Sequence, residues 1–475
     1  MKTKKKLALI IIIVLVLSVF SGCSKPNTDS QTGIPSNTNS EQSSGGTITI
    51  SYWTGTEQFY VDFWTAIAEK YNAENNQLDG KTIKVEVQMA PMQPSGEASI
   101  QNAIATNSAP TISENITRSF ASVLADADCI YELSGQDWYN EIVAERSLGD
   151  VLTGWALGGK QYVIPLYVNP MVFQYNAIAL KAMGVTEVPK TLADFDNLLS
   201  AYDTNKGDLA NIGITHFMYR HELTRPDFWW ERWFDFESPY KAIAGGKNFV
   251  EDNNLTIDRN AAKQVFDMYG KMGNSLLIGE IPGVWQESTV PVVMGVGLPW
   301  EIKTNRAAGK SYGMDGDYVF GPTFVKNSSD KAYCYADSKG IVLYKTANIS
   351  DEQHRAACEF LKWVFTGPNK DTFDSDWMDA TSMLPVRGDL DSNPSIKSYL
   401  ASYPELQALG PFVPNAVPCM NNEFMPEILT ALGEDGLMPF ITDVSTKVDI
   451  NQNPDSSKYV DDGIKAMAAA GSLIE

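Results

Sequence analysis

Trp53 and Glu57 stand four residues apart, at the end of an alternating β-branched run and the start of an amphipathic one. An indole ring can stack on the apolar face of a sugar, and a carboxylate can accept the protons of its hydroxyls. Trp300 has a similar setting. It follows Gly297-Leu298-Pro299 at the end of an apolar run, where a loop would present it half exposed. Residues 216–234 (HFMYRHELTRPDFWWERWF) crowd Asp227, Trp229, Trp230, Arg232 and Trp233 together. If this stretch is helical, Trp229 and Trp233 share a face. One of Trp229 and Trp230 then faces outward, Trp233 belongs to the core, and Asp227 can hydrogen-bond a hydroxyl. Glu114, Asn115 and Arg118 lie in a loop after Ala109-Pro110. Each has a plain structural alternative: core for Trp53, a charge at a helix start for Glu57, polar loop residues for the Glu114 group, a rim aromatic for Trp300.

Other chemistries lack their residues. His216, His221 and His354 do not have metal-ligand spacing. Cys129, Cys334, Cys358 and Cys419 are widely spaced, with no CxxC, and their pairing stays open among three arrangements. No cofactor motif is present. A glycoside hydrolase would need two carboxylates flanking one bond, and no acidic residue stands in such a context. The net charge of −21, or −25 without the four lysines of the first 22 residues, argues against nucleic acid and for a small or neutral partner.

With 44% hydrophobic residues in 475, the chain can bury a sizeable core. Residues 47–53 (TITISYW) predict a strand. From Glu57, Tyr60, Phe63, Trp64, Ile67 and Tyr71 recur at helical spacing. Ile83, Val85 and Val87 alternate with polar residues in a second strand, and a small-residue helix follows near 97–107. Strand, helix, strand, helix is the start of an α/β unit, whose ligands bind at the carboxyl ends of its strands. Thr191 with Asp194, and Ser350 with Gln353, have capping-box spacing.

The N-terminus reads as a targeting segment. Lys2, Lys4, Lys5 and Lys6 precede a 14-residue apolar run at 7–20, then Ser21-Gly22-Cys23. This looks like a lipoprotein signal in which Cys23 is lipid-modified and becomes the new N-terminus. Residues 24–46, rich in Ser, Asn, Thr, Gln, Gly and Pro, read as a disordered tether.

Residues 158–195 (GGKQYVIPLYVNPMVFQYNAIALKAMGVTEVPKTLADF) run strand, Tyr-Asn, short helix, Pro-Lys-Thr, helix. With 290–302 (VPVVMGVGLPWEI) and Leu384-Pro385-Val386, this order resembles the sugar-type extracellular solute-binding proteins of bacterial ABC importers. The resemblance runs from about residue 47 to the C-terminus. It implies an α/β, two-lobe fold of the type II periplasmic-binding-protein kind, each lobe a mixed, mostly parallel sheet flanked by helices, with several hinge crossings. The implied division is a signal peptide at 1–22, a tether at 23–46, an N-terminal lobe at 47–165 and 315–385, and a C-terminal lobe at 166–314 and 386–475. The family uses an aromatic and a carboxylate in its first loop, where Trp53 and Glu57 stand, and a ligand-stacking Trp where Trp300 stands. It also implies cleft positions for Asn169 where the chain enters the second lobe, for an aromatic beside Pro226 such as Trp230, and for Phe424 on the last cleft-facing helix. Thr111 departs from the family's Pro-Asp, which weakens the case for that residue.

The resemblance implies capture of a carbohydrate, an oligosaccharide above all, for permease subunits of an ABC importer. The protein would be a monomer without cofactor or catalysis, held at the outer face of a Gram-positive cytoplasmic membrane through Cys23. A carbohydrate-sensing surface protein and a glycan-active enzyme are the alternatives.

Overall fold

The structure, a computed structural model, describes residues 46–92, 95–220, 234–251, 254–278, 283–422, 424–471 and 473. Cys23, Asp227, Trp229, Trp230 and Trp233 lie outside them. The first sheet is begun by β1 (Thr47–Thr54), α1 (Gln58–Ala73), β2 (Gln77–Leu78), β3 (Lys81–Met89), α2 (Gly96–Ala105), β4 (Ile112–Ile116), α3 (Arg118–Asp126), α4 (Asp137–Glu145) and β5 (Ile164–Met171). β1 pairs parallel with both β3 and β4. The predicted stripe of α1 is buried at Tyr60, Phe63, Trp64, Ile67 and Tyr71.

The chain then enters a second sheet through β6 (Phe173–Asn176), α5 (Ala177–Ala182), α6 (Leu192–Asn211), β7 (His216–Arg220), α7 (Phe234–Ile243), the small ladder β8 (Val250–Glu251) with β9 (Asn254–Leu255), α8 (Arg259–Met272), β10 (Leu276–Ile278), β11 (Val292–Val296), α9 (Ile302–Ala307) and β12 (Tyr318–Gly321). Its order is β10-β7-β11-β6-β12. The Tyr-Asn pair has a local reason. Asn176 caps α5 by accepting from Ala179 N, and its Nδ2 donates to the carbonyls of Val290 and Val292, each at 3.1 Å. The capping box at Thr191 is complete: its Oγ1 accepts from Asp194 N, and the Asp194 carboxylate accepts from Thr191 N.

The return to the first sheet is β13 (Cys334–Leu343), α10 (Asp351–Thr366), α11 (Lys370–Thr381), β14 (Leu384–Pro385), α12 (Pro394–Leu400), α13 (Pro404–Leu409) and β15 (Ala416–Val417). The order is β14-β5-β13-β4-β1-β3-β2, with β15 also on β13. α14 (Met425–Leu432), α15 (Met438–Lys447) and α16 (Ser457–Ala470) finish the second lobe. The sheets exchange the chain at 171–173, at 321–334 and after 417. The boundaries expected at 165, 314 and 385 fall earlier. At the first crossing the reason is physical: β5 and β6 are both wholly buried and nearly contiguous, so the chain carries no mark of where one sheet ends. All four described cysteines are free thiols.

Behind Leu384-Pro385-Val386, Asp374 of α11 accepts from Arg146 at 2.9 Å and from Arg387 at 3.1 Å. All three side chains are 4% exposed or less, and Arg146 lies over the ring of Phe365. Replacing Asp374 with Ala leaves two guanidiniums buried without their shared carboxylate. The expected loss is about 3–5 kcal/mol of folding stability, read by denaturant unfolding. A loss within the range of a surface substitution would refute this role for the cluster.

Candidate functional site

The parallel strands β1 and β4 end side by side, so the loops at 54–57 and 115–118 share one carboxyl edge. The antiparallel pair β5 and β13 runs on past that edge toward the second lobe, with Lys339 opposite Tyr167 and Asp337 opposite Asn169. Directly opposed residues share a face, so these four side chains stand together.

Three of them make hydrogen bonds at this edge. The Tyr60 hydroxyl donates to that of Tyr167 at 3.3 Å, and Tyr167 donates to Asn115 Oδ1 at 3.1 Å. Asn169 Nδ2 donates to Asp337 at 3.2 Å, while its Oδ1 has no protein partner. Burial first, then the negative charge of Glu114, holds the Tyr60 phenol well above its usual range. Burial does the same for Tyr167, reinforced by Tyr60 and Asp337. Both rings stay neutral donors.

Glu114 organises the first loop from beneath. Its Oε1 accepts the Gly55 amide at 2.6 Å. Gly55 has no room for a side chain, because a Cβ would come within 2.7 Å of the Tyr60 ring and 3.3 Å of Asn115. Asn115 itself is left-handed, with φ 66°, a conformation asparagine tolerates better than most residues. Burial pushes the Glu114 carboxyl up to about 7, against the opposing pull of the Gly55 amide, the Lys339 charge and the nearby Trp64 indole N–H.

From the second lobe, Trp300 sits in a short 3-10 turn, Pro299–Glu301, just beyond β11. It is half-buried and packs against the apolar clusters of both lobes. The turn of α3 meets the other lobe too: Ser119 Oγ donates to Asn422 O at 2.7 Å, and Asn422 Oδ1 accepts the Phe424 amide. Phe424 is 37% exposed.

The sequence-derived residues therefore fall into groups. Asn115 is hydrogen-bonded in a chain with Tyr167 and Tyr60, Asn169 is paired with Asp337, and Glu114 holds the Gly55 amide at the same edge. Glu57 is exposed at the N-cap position of α1. Trp53 is buried, sharing an apolar cluster with Ile100, Phe120 and Trp155. Asp227 and Trp230 follow the carboxyl end of β7 in the chain and lie outside the described residues. Sequence reasoning missed Tyr167, Asp337, Lys339 and the hydroxyl of Tyr60, whose ring belongs to the helical stripe of α1. One signal was available: Asp337 and Lys339, two apart, put the only charges of the run at 334–343 on one face.

A family model described as bacterial extracellular solute-binding protein matches residues 66–406. The chain belongs to this family. Its two-lobe α/β fold is that of solved binding proteins. An uncharacterized protein, lmo0859, from Listeria monocytogenes EGD-e is 28% identical, with a TM-score of 0.75 over 89% of this chain and 99% of that one. The cyclic alpha-maltosyl-1,6-maltose binding protein from Arthrobacter globiformis is 16% identical, with a TM-score of 0.67 over 90% and 99%. The sugar-binding protein MalE from Xanthomonas citri is 15% identical, with a TM-score of 0.68 over 89% and 97%. No curated protein sequence matches the chain. Among the described residues of this solute-binding protein, no helix is long and apolar enough to cross a membrane.

The raised Glu114 carboxyl fixes the sign of a pH effect. The folded protein holds this proton more tightly than the unfolded chain, so the contribution is favourable at low pH. It is lost as pH rises from about 4.5 to about 7. At about 1.4 kcal/mol per tenfold, the swing is about 3 kcal/mol. Denaturant unfolding between pH 4.5 and 8 should show Glu114→Gln losing that part of the slope. A slope unchanged by the substitution would assign it to another group.

Proposed function

We propose that this protein captures a carbohydrate, an oligosaccharide above all, between its lobes and delivers it to the permease subunits of an ABC importer. The observation that carries this reading is Trp300. A half-buried indole touching the apolar clusters of both lobes beside a network of hydroxyls, amides and carboxylates combines the two contacts a sugar ring requires. The ligands of two structural relatives, a cyclic maltosyl-maltose and a sugar, point the same way. In this reading Trp300 stacks on the sugar, with Asp227, Trp230 and Phe424 also contributed by the second lobe. Glu57, Asn115 and Asn169 bind hydroxyls from the first lobe, with Trp53 and Glu114 supporting their loop. The protein acts as a monomer, by binding rather than catalysis, at the outer face of the cytoplasmic membrane, anchored through a lipid on Cys23.

Truncating Trp300 to Ala should cost on the order of 1–3 kcal/mol of binding. Affinity for the cognate sugar, found by thermal shift against a glycan panel and measured by calorimetric titration, then falls by about tenfold to a hundredfold. Unliganded stability should fall by less than the roughly 3–5 kcal/mol of a core Trp. Normal binding by the variant would move the ligand elsewhere.

Anchoring has its own test. Cys23→Ala should leave the protein unprocessed or release it into the medium. If the variant still partitions into detergent like the parent, Cys23 carries no lipid.

A further inference from the structure

Away from the network around Tyr167, a cavity of about 520 Å3 opens between the lobes. Arg118 and Thr153 line it from the first lobe, Lys247, Glu251 and Thr256 from the second, and Val417 at the last crossing. Its lining shares no residue with that network.

Arg118 is the unusual member. It is 8% exposed, yet its guanidinium is poorly satisfied. One Nη donates to Ala156 O at 3.0 Å, the other reaches Cys419 O at 3.5 Å, and Nε has no partner. The carboxylate of Glu251 is 3.6 Å away, outside hydrogen-bond range, and its side chain is 41% exposed. Its other oxygen already accepts from Asn248 at 2.6 Å. A buried guanidinium whose nearest carboxylate is partly exposed and makes no hydrogen bond to it is incompletely compensated. Local helix stability gives no reason for it either, because Arg118 is the first residue of α3, where a cation opposes the helix dipole. Lys247 adds a second, exposed positive charge to the same cavity, in a chain whose net charge is −21.

We propose that this cavity is an oxyanion subsite, taking a carboxylate, sulfate or phosphate group against Arg118 with Lys247 beside it. A planar guanidinium matches such a group through two parallel hydrogen bonds, which Glu251 does not supply in its present position. The exposed Glu251 side chain turns out to solvent when the anion enters. Because both lobes line the cavity, its occupant contacts both of them. The anion is either a substituent of the captured glycan, which rests on the carbohydrate reading above, or a free ion, which does not.

The test is calorimetric titration of the mature protein at constant ionic strength, with inorganic phosphate, sulfate, trigalacturonate and neutral maltotriose as probes. At least one anionic probe should bind saturably. Arg118→Gln should weaken it by about tenfold or more, as for a lost charge-assisted contact. Glu251→Gln, which removes the competing carboxylate, should tighten it several-fold. If Arg118→Gln does not fold, Lys247→Ala is to weaken the same anion by a few-fold, on an exposed residue whose loss the fold tolerates. Tighter binding of trigalacturonate than of phosphate or sulfate assigns the site to the glycan, and the reverse to a free ion. The proposal is overturned if no anionic probe binds, if the Arg118 and Lys247 variants bind it as the parent does, or if Glu251→Gln weakens it, since an interlobe ion pair would then be the whole role of Arg118. Maltotriose binding without anion binding removes the subsite alone. Phosphate or sulfate binding that depends on Arg118, with neither sugar bound, keeps the subsite and counts against the carbohydrate reading.

Discussion

The pairing of β5 with β13 is the constraint on which the rest depends. These two antiparallel strands run beyond β1 and β4 and continue into the second lobe, so they are the first sheet's interior and the lobes' connection at once. Their backbone groups satisfy one another beyond the end of β4, while β14 pairs the outer edge of β5 at Tyr167 and Val168 and β15 covers the far end of β13 at Cys334 and Tyr335. A polar side chain on this stretch is level with the carboxyl edge and cannot be left in a dry core. Tyr167, Asn169, Asp337 and Lys339 are held there in register.

The loops at that edge are shaped by close approach. Gly55, the left-handed Asn115 and the Glu114 carboxylate under the Gly55 amide fix one another. The cost falls on Glu114, which is buried with one oxygen unpartnered and holds its proton close to neutral pH. Local strain and a displaced titration of this kind are tolerated where surrounding packing over-determines the geometry, as it does between the Tyr60 and Trp64 side of α1 and the end of β4.

On the second lobe the corresponding edge presents Trp300 on a rigid proline-led turn, with α7 bracing the crossings from behind. Ser238 of α7 accepts from Tyr335 N at 3.0 Å and donates to Met171 O at 2.5 Å, so one hydroxyl ties both crossing strands to the second lobe. A solute held between the edges would meet surfaces whose relative placement is set by these few crossing residues.

Several features were decided by the sequence alone. The β1 alternation, the buried stripe of α1 and the capping boxes at Thr191 and Ser350 all formed as their spacing predicts, because each depends on neighbours within a few residues. The ordered motifs from Tyr175-Asn176 to Leu384-Pro385-Val386 gave the two-lobe family. Only the tertiary structure decided where the lobes exchange the chain, since β5 and β6 follow one another closely and are equally buried. It alone brought Glu114 under Gly55, across 59 positions, and Tyr167 to Asn115, across 52. It alone also buried Trp53 while leaving Glu57, four residues on, in solvent. Burial and hydrogen bonding between distant segments depend on which strands become neighbours, and no local pattern of residues encodes that.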